Sequence, residues 1–247
     1  MTTRTSIEWT EQTWNPTVGC SKISPGCAHC YAEVMARRLK AMGVKGYENG
    51  FELTLLPQRL NEPLERKQPT MYFVNSMSDL FHEQIPDSYI QDILSVIRQS
   101  PRHIFQILTK RAERMADFFQ AQPAPVNAWL GVTVENREHG LPRLGYLRSI
   151  SARVRFVSAE PLLEDPGRIN LTGIHWMIVG GESGPGARPM KPDWIVNIKR
   201  QCDARNIPFF FKQWGGWGAD GKKRSKKQNG RLLNGRIWDA VPRHPLA

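Results

Sequence analysis

The chain has 247 residues, a length that suits one domain built around a single hydrophobic core. No apolar run approaches about 18 residues, which excludes a transmembrane helix and a membrane partner from the interpretation. The 34 lysines and arginines against 23 acidic residues give a formal net charge of +11, which indicates either a polyanionic partner such as nucleic acid or a merely basic enzyme.

In chain order, the hydrophobic pattern predicts short strands that alternate with helices. Ile7 and Trp9 alternate within the polar residues 1–13 and predict a first strand, whereas residues 43–70 are rich in glycine, proline and charge. Apolar runs predict six further strands, at 71–76, 103–109, 129–134, 154–159, 175–181 and 208–214. Helical periodicity follows Cys30 and recurs at 89–97, 111–119, 140–149 and 193–205.

Strands that alternate with helices form βα units and a parallel sheet. Six or seven such units in one domain favour a barrel or partial barrel over an open sheet, so the predicted fold class is α/β with a partial TIM barrel. We assign residues 1–214 to this barrel, with a cysteine-rich loop near the N-terminus. Residues 215–247 form a basic extension rich in tryptophan and glycine, which we expect to pack on the same domain.

Three of the four cysteines, Cys20, Cys27 and Cys30, lie within eleven residues in a C-x6-C-x2-C spacing. Glycine and proline between them indicate a loop, and Cys30 stands where a helix starts, a position that lowers the pKa of a thiol. Three thiolates hold zinc only with a fourth ligand, here His29 or His82, and hold an iron–sulfur cluster with one iron left open. Structural cysteines buried in the core, or a disulfide with a spare thiol, would also account for the three thiols. So few cysteines favour a reducing compartment, and we expect a cytoplasmic protein.

The residues NPTVGC and GCAHCYA around these cysteines resemble the cluster-binding loop of radical S-adenosylmethionine (SAM) enzymes, most closely the spore photoproduct lyase-like branch. The whole chain also resembles a phage-associated family with a three-cysteine motif. The resemblance implies a partial (β/α)6 barrel and a 4Fe–4S cluster ligated by Cys20, Cys27 and Cys30. It also implies that SAM binds the open iron and, with one electron from a reductant, gives a 5′-deoxyadenosyl radical. The general family pattern is C-x3-C-x2-C, three residues shorter than here, and His29 fills a position that is usually aromatic.

Polar residues follow six successive predicted strands, and chemistry in parallel barrels gathers at these carboxyl ends. Under the resemblance, we expect Ser76 and Asp79, at and after the end of the strand at 71–76, near the methionyl end of SAM. We expect the Thr, Ser and Glu residues that end the next strands around the ribose or substrate. The predicted cofactor-binding residues are Ser76, Asp79, Thr133, Glu135, Ser158, Gly180 and Gly181. The candidate catalytic residues are Lys110, Glu160 and Glu182.

Two of these segments carry specific expectations. The glycine pair at 180–181 lets backbone approach a ligand closely, and radical SAM enzymes use a Gly-Gly-Glu segment to hold the methionine amino group. In those enzymes the segment follows the second strand, whereas here it follows a later one. Lys110 lies in an ILTK segment that also resembles the lyase-like branch. We expect it either to pair with a carboxylate or phosphate or to be a solvated lysine at the start of a helix.

The C-terminal quarter carries five basic residues in the run Lys222–Lys227. Trp214, Trp217 and Trp238 flank it, so the run predicts phosphate contacts with base stacking, or else it is only a solvated charge cluster.

The preferred function is a radical SAM enzyme acting on a nucleic acid or nucleotide base, with a reductant for its cluster. Two alternatives stay open: a radical SAM enzyme acting on a small molecule or peptide, and a zinc-stabilised nucleic-acid-binding protein without catalysis.

Overall fold

The computed structural model describes residues 5–243; residues 1–4 and 244–247, at the ends of the two predicted units, lie outside the described residues. Within this range the nine strands are β1 (Gln12–Trp14), β2 (Thr17–Val18), β3 (Thr54–Leu55), β4 (Met71–Val74), β5 (Ile104–Thr109), β6 (Ala128–Thr133), β7 (Val154–Ala159), β8 (Trp176–Gly180) and β9 (Phe209–Gln213). The eight α-helices of the same range are α1 (Tyr31–Ala41), α2 (Glu62–Glu65), α3 (Asp87–Gln99), α4 (Ala112–Gln120), α5 (Arg137–Gly140), α6 (Arg143–Ser149), α7 (Pro192–Asp203) and α8 (Lys226–Asn229).

Seven of these strands form one parallel sheet in the order β1-β4-β5-β6-β7-β8-β9. The sheet curves as half of a barrel with β1 and β9 at its edges, and helices occupy most of its connections. β2 and β3 form a separate antiparallel pair beside it. The predicted α/β partial barrel is therefore confirmed, with the three clustered cysteines close behind β1.

The first strand differs from its prediction. β1 begins at Gln12 and pairs with β4, whereas Ile7 and Trp9 lie in an irregular segment and pack their side chains into the barrel interior. Alternating apolar residues indicate which side chains are buried. The side chain of Trp9 is buried and that of Ile7 is partly buried, but their backbone does not pair with a strand. The other six strands match their predicted ranges to within two residues at each end, because their residues are buried on both faces of the sheet.

The two faces of the sheet have different cores. Outward-facing residues pack against the helices, and α3 contributes Ile90, Ile93 and Ile97 at helical spacing. Each such fully buried side chain stabilises the fold by about 1.5–3 kcal/mol relative to an exposed one. Inward-facing residues form a separate, largely aromatic cluster within the barrel, which includes Trp9, Phe73, Trp129, Phe156, Trp176 and Phe210.

The aromatic cluster fills the barrel up to a definite level along the strands. Gly131 makes room for it, since a Cβ there would lie 2.4 Å from Cζ of Phe156. Residues two positions further along a strand face the same way, so Ser158 follows Phe156 inward and Lys212 follows Phe210. Polar side chains thus replace aromatic ones at the carboxyl ends of the strands, above a floor of rings.

Helix α1 packs on the barrel through only one narrow face. It begins directly after Cys30 and buries Ala32 and Ala36 in a small cluster with Val18, Tyr47, Leu56 and Met77. Two alanines bring the helix axis close to its neighbours, and the larger side chains of the helix remain partly or fully exposed. The opposite face of α1 therefore lies open to solvent beside the cysteines.

The segment after β9 returns along the edge of the sheet. The amide of Phe211 donates to the carbonyl of Trp238 at 2.8 Å, and Nε1 of Trp176 donates to the carbonyl of Ala240 at 2.8 Å. Nζ of Lys226 lies 2.7 Å from a carboxylate oxygen of Glu8, which joins this segment to the start of the described chain. These contacts cover the edge that β9 would otherwise expose. In residues 5–243, none of the helices has the length and apolarity that crossing a bilayer requires.

Candidate active site

The cysteine loop leaves β2 through a tight backbone crossing. Gly19 has φ +83°, and a Cβ there would lie 2.1 Å from the carbonyl oxygen of Glu52, so only glycine fits. Beyond it Cys20, Cys27 and Cys30 are all free thiols with partial solvent exposure, whereas the fourth cysteine is buried in α7. Within residues 5–243, no group of three or more His, Cys, Asp or Glu side chains is close enough together to hold a metal ion.

Arg111, two residues after β5, connects the first cysteine to the barrel. Its guanidinium donates to Sγ of Cys20 at 3.5 Å and to Oγ of Ser21 at 2.7 Å. The same group lies 3.3 Å from Oδ2 of Asp79, and the other carboxylate oxygen, Oδ1, accepts from Oγ1 of Thr109 at 2.6 Å. Asp79 is therefore engaged with the strand end and with Arg111. Burial, followed by the charge of Asp79, raises the pKa of the Cys20 thiol to about 11.

Glu135 supports the middle of the loop. Its carboxylate is 0% exposed, accepts from NH1 of Arg143 at 2.5 Å and NH2 at 3.3 Å, and accepts from the hydroxyl of Ser24. A Cβ on Gly26 would lie 3.2 Å from this side chain, so the loop backbone presses against it. Burial alone would raise the pKa of Glu135, but the charge of Lys110 and the hydrogen bonds of Arg143 outweigh it and lower the pKa.

A third pair of an acid and an arginine also contacts the middle of the loop. Glu182 is buried after β8, and Arg188 donates to both of its carboxylate oxygens, at 2.8 Å from Nε and 2.5 Å from NH2. The same NH2 donates to the carbonyl of Pro25 at 2.9 Å. Burial works against the charged carboxylate of Glu182, but the hydrogen bonds of Arg188 prevail and lower its pKa. Three carboxylates with arginine partners thus hold the loop at two places, one at Cys20 and Ser21 and the other at residues 24–26.

A cavity of about 780 Å³ opens beside the last cysteine, at the carboxyl ends of the strands. This volume lies within the range of about 300–1,000 Å³ found for small-molecule sites. Cys30 lines it together with seven of the residues that the sequence predicted: Ser76, Lys110, Thr133, Ser158, Glu160, Gly181 and Glu182. Thr133 and Ser158 are partners in the register of β6 and β7, so their hydroxyls stand side by side. Nζ of Lys110 lies 3.4 Å from the Thr133 hydroxyl.

The structure does not bring all predicted residues into this wall. The residues set apart are Cys20, Cys27, Asp79, Glu135 and Gly180. Gly180 acts through its lack of a side chain, since a Cβ there would lie 3.1 Å from Cδ of Glu160. It therefore leaves space for that carboxylate. Asp79 and Glu135 instead support the cysteine loop, as described above.

Glu160 forms the charged centre of the cavity with a partner that the prediction left out of the site. Nζ of Lys212 lies 2.7 and 3.0 Å from its two oxygens, and Nε2 of Gln213 donates to it at 3.2 Å. Lys212 and Glu160 are both partly exposed to the cavity. Lys212 stands two residues after Phe210, so both side chains face the same side of β9. Only the structure shows that this side faces the barrel interior.

Asn15 and Tyr31 are further residues that sequence reasoning missed. Oδ1 of Asn15 accepts from the Ser76 hydroxyl at 3.1 Å and from the Met77 amide at 3.1 Å, and the Tyr31 hydroxyl donates to the carbonyl of Ser76. All three of Asn15, Tyr31 and Ser76 line the cavity. Asn15 directly follows β1, so the strand-end rule finds it once the first strand is placed at its observed position.

The two candidate fourth ligands for zinc lie in different surroundings. His29 is exposed in the cavity wall, with its ring against Gly186. His82 is buried, with Nε2 2.9 Å from the Ser21 hydroxyl and Nδ1 accepting from the Gln84 amide at 3.2 Å. Burial and the charge of Arg111 lower the pKa of His82, which favours its neutral form.

The chemistry of the three thiols suits an iron–sulfur cluster better than a hard cation, although the described residues do not gather three such side chains around a single metal ion. Thiolates are soft ligands that take iron–sulfur clusters, zinc or copper(I). All three thiols of Cys20, Cys27 and Cys30 are free and partly exposed on one loop, and one of them faces the cavity. Hydrogen bonds to cluster sulfurs are also a feature of such sites, and Arg111 supplies one to the first cysteine.

Comparison with known proteins gives one family and distant structural likeness. No curated protein matches the sequence. A doubly substituted spore photoproduct lyase with bound AdoMet and dinucleoside spore photoproduct is 12% identical, with a TM-score of 0.48 over 73% of this chain and 58% of that chain. Spore photoproduct lyase complexed with dinucleoside spore photoproduct is 10% identical, with a TM-score of 0.48 over 81% and 63%. The chain thus spans less than two thirds of the length of these lyases. A family model matches residues 4–242, and the chain belongs to the family described as "Protein of unknown function (DUF5131)".

Proposed function

We propose that the chain is a radical SAM enzyme that acts on a nucleic acid or nucleotide base. The observation that carries the proposal is the position of Cys30, which closes a loop of three free thiols and lines the same cavity as the polar strand-end residues. The resemblance of the loop to the cluster-binding motif adds to this observation. Cys20, Cys27 and Cys30 are the proposed ligands of a 4Fe–4S cluster.

When bound, the cluster and SAM together supply reductive cleavage of a sulfonium and a carbon-centred radical that removes a hydrogen atom from the substrate. The chain's own residues bind, orient and shield. Ser76 and Asn15 offer paired polar groups near Cys30 for the amino-acid portion of SAM. The hydroxyls of Thr133 and Ser158 suit a ribose. The aromatic floor below them excludes water from the closed end of the barrel.

The Glu160–Lys212 pair is the proposed contact to the reacting substrate. It combines an acceptor and a donor that are partly exposed in the cavity and held by Gln213 on one side. Lys110 contributes a second cation within the same wall. Glu182, by contrast, has both oxygens bound by Arg188, so a positioning role on the cysteine loop fits it better than contact with the reacting atoms.

The net charge of +11 supports a polyanionic substrate. The run Lys222–Lys227 supports it less than its sequence suggests. Arg224 pairs with Asp220 at 2.6 Å, Lys226 pairs with Glu8 at 2.7 Å, and Nζ of Lys223 donates to the carbonyl of Pro185 at 2.5 Å. An external one-electron reductant, a cytoplasmic location and the phage association remain predictions.

Anaerobic reconstitution with iron and sulfide tests the proposal directly. The wild type is expected to hold about four irons per chain and to cleave SAM when dithionite is added. Cys27→Ala should lose the iron and the cleavage, whereas Cys202→Ala, at the buried fourth cysteine, should keep both. One colourless zinc per chain, with no uptake of iron or sulfide, would establish the zinc-stabilised alternative instead.

A second measurement addresses the substrate. SAM cleavage is compared with and without single-stranded and duplex DNA, and with a pool of small peptides. Faster or more tightly coupled cleavage with DNA is the expected result, and it should decline as salt rises because phosphate contacts release counterions. Stimulation by peptides alone would support the small-molecule or peptide alternative.

A further inference from the structure

Helix α1 carries exposed apolar side chains along one face. The exposed fractions are 56% for Tyr31, 50% for Val34, 42% for Met35 and 74% for Met42 directly after the helix. The spacing of three, four and seven residues places them on one stripe, with exposed Arg38 between them. We call Tyr31, Val34, Met35, Arg38 and Met42 the α1 face. Contiguous exposed apolar side chains of this kind mark an interaction surface.

The α1 face is continuous with the cavity. Tyr31 and Met35 belong both to the exposed stripe and to the cavity lining, and the helix begins at the cysteine that faces the cavity. A partner seated on the helix would therefore lie at the cavity mouth. The hydroxyl of Tyr31 is held by the carbonyl of Ser76, which fixes its ring in this position.

The charges around the α1 face are mostly positive. Residues 31–45 contain four basic residues and one acid, Glu33. Glu33 is already engaged by Lys22 at 2.9 Å and Arg37 at 2.5 Å. Within residues 5–243, neither Arg38, on the α1 face, nor Lys40, on the other side of the helix, has a salt-bridge partner. A second copy of the chain would oppose these charges with like charges, whereas a polyanion complements them.

We infer that the α1 face binds a strand of nucleic acid with unstacked bases and presents it to the cavity. The aromatic ring of Tyr31 and the apolar side chains of Val34 and Met35 contact base faces. Arg38, which lies between these side chains, contacts a phosphate. The inference deepens the nucleic-acid part of the proposed function and rests on it, and it assigns the main contact to this helix instead of the run Lys222–Lys227.

Fluorescence anisotropy of a labelled single-stranded DNA of about 20 nucleotides, titrated with purified full-length protein, tests the inference. Binding requires no cluster, so the result is separate from the test of radical chemistry. Arg38→Glu should weaken binding about tenfold or more and make the dependence on salt shallower by about one phosphate contact. Lys222→Glu makes the same change of charge in the basic run and should have a much smaller effect.

The apolar part of the face has its own matched pair. Val34→Glu should weaken binding at least as much as Arg38→Glu, whereas Val126→Glu should not change it more than the loss of net charge requires. Val126 is 69% exposed and precedes β6, at the end of the sheet opposite the cavity. Val34→Ser, which adds no charge, should give a smaller loss in the same direction. Unchanged melting temperatures show that these exposed substitutions leave the fold intact.

Three outcomes would overturn the inference. No binding of the single-stranded DNA by the wild type at about 50 mM salt would show that the α1 face does not bind such a strand. An equal or larger loss in Lys222→Glu than in Arg38→Glu would assign the contact to the basic run. A wild-type dimer that Val34→Glu dissociates, with DNA binding retained, would show that a second copy covers the α1 face.

Discussion

Replacement of Glu135 by glutamine probes the buried pair that supports the cysteine loop. The substitution keeps the shape of the side chain but removes the charge that faces Arg143 at 2.5 Å. The Arg143 side chain is nearly buried and also donates to the carbonyl of Thr133 at 2.8 Å, so it cannot turn out to solvent without a further loss. The variant therefore leaves a guanidinium buried without a counter-charge.

Breaking a buried ion pair on one side costs about 3–5 kcal/mol, because one charge remains desolvated and unpaired. The free energy of unfolding of such domains is about 5–15 kcal/mol, so this loss is a large share of the stability. Urea denaturation at pH 7 measures it. Glu138→Gln, three residues away with its side chain 83% exposed, makes the same chemical change and should alter the unfolding free energy by no more than about 0.5 kcal/mol.

The pH dependence gives the same prediction a second test. The pKa of Glu135 is lowered in the folded protein from an ordinary value of about 4.5. A carboxyl with a lowered folded pKa contributes stability that is present above its unfolded pKa and lost as pH falls through its folded pKa. The gap between wild type and Glu135→Gln should thus be full at pH 7 and shrink below about pH 4. A gap under about 1 kcal/mol at pH 7, or one that does not change with acid, would refute the buried-pair reasoning.

Two further predictions concern the barrel floor and the loop. Gly131→Ala places a methyl group 2.4 Å from Phe156 and should lower the urea midpoint by the equivalent of about 1–3 kcal/mol, whereas Gly145→Ala, which meets nothing within 4 Å, should be neutral or slightly stabilising. Arg188→Gln removes the charged donor that reaches the Pro25 carbonyl, so hydrogen exchange in the cysteine loop should accelerate; unchanged exchange there would show that the loop is held without it.

Much of the fold follows from the pattern of residues along the chain. Strand β7 matches its predicted range because most positions from 154 to 159 are apolar or small residues between polar segments. Helix α3 follows from the spacing of its buried isoleucines. The first strand did not follow, because Ile7 and Trp9 are buried by contacts across the barrel and make no ladder with β4. Periodicity detects burial, and only pairing in space decides which buried segment is a strand.

The candidate site was likewise predictable only in part. Thr133, Ser158 and Glu160 were predictable because parallel strands end at one edge and bring their next residues together. Glu135 also stands at the carboxyl end of a strand in the sequence. In the structure, however, it forms an ion pair with Arg143 of α6 and contacts the cysteine loop. That ion pair depends on how a separate helix docks, which no local pattern encodes.

The sequence by itself determined the alternation of strands and helices, the clustering of three thiols on one loop and the set of polar residues at the strand ends. Tertiary structure alone decided which of those residues face a common cavity, which are paired with arginines, and which face of α1 remains open. The physical reason is that periodicity and composition act over neighbouring residues, whereas ion pairs, cavities and exposed faces arise from elements far apart in the chain that meet only when the sheet closes.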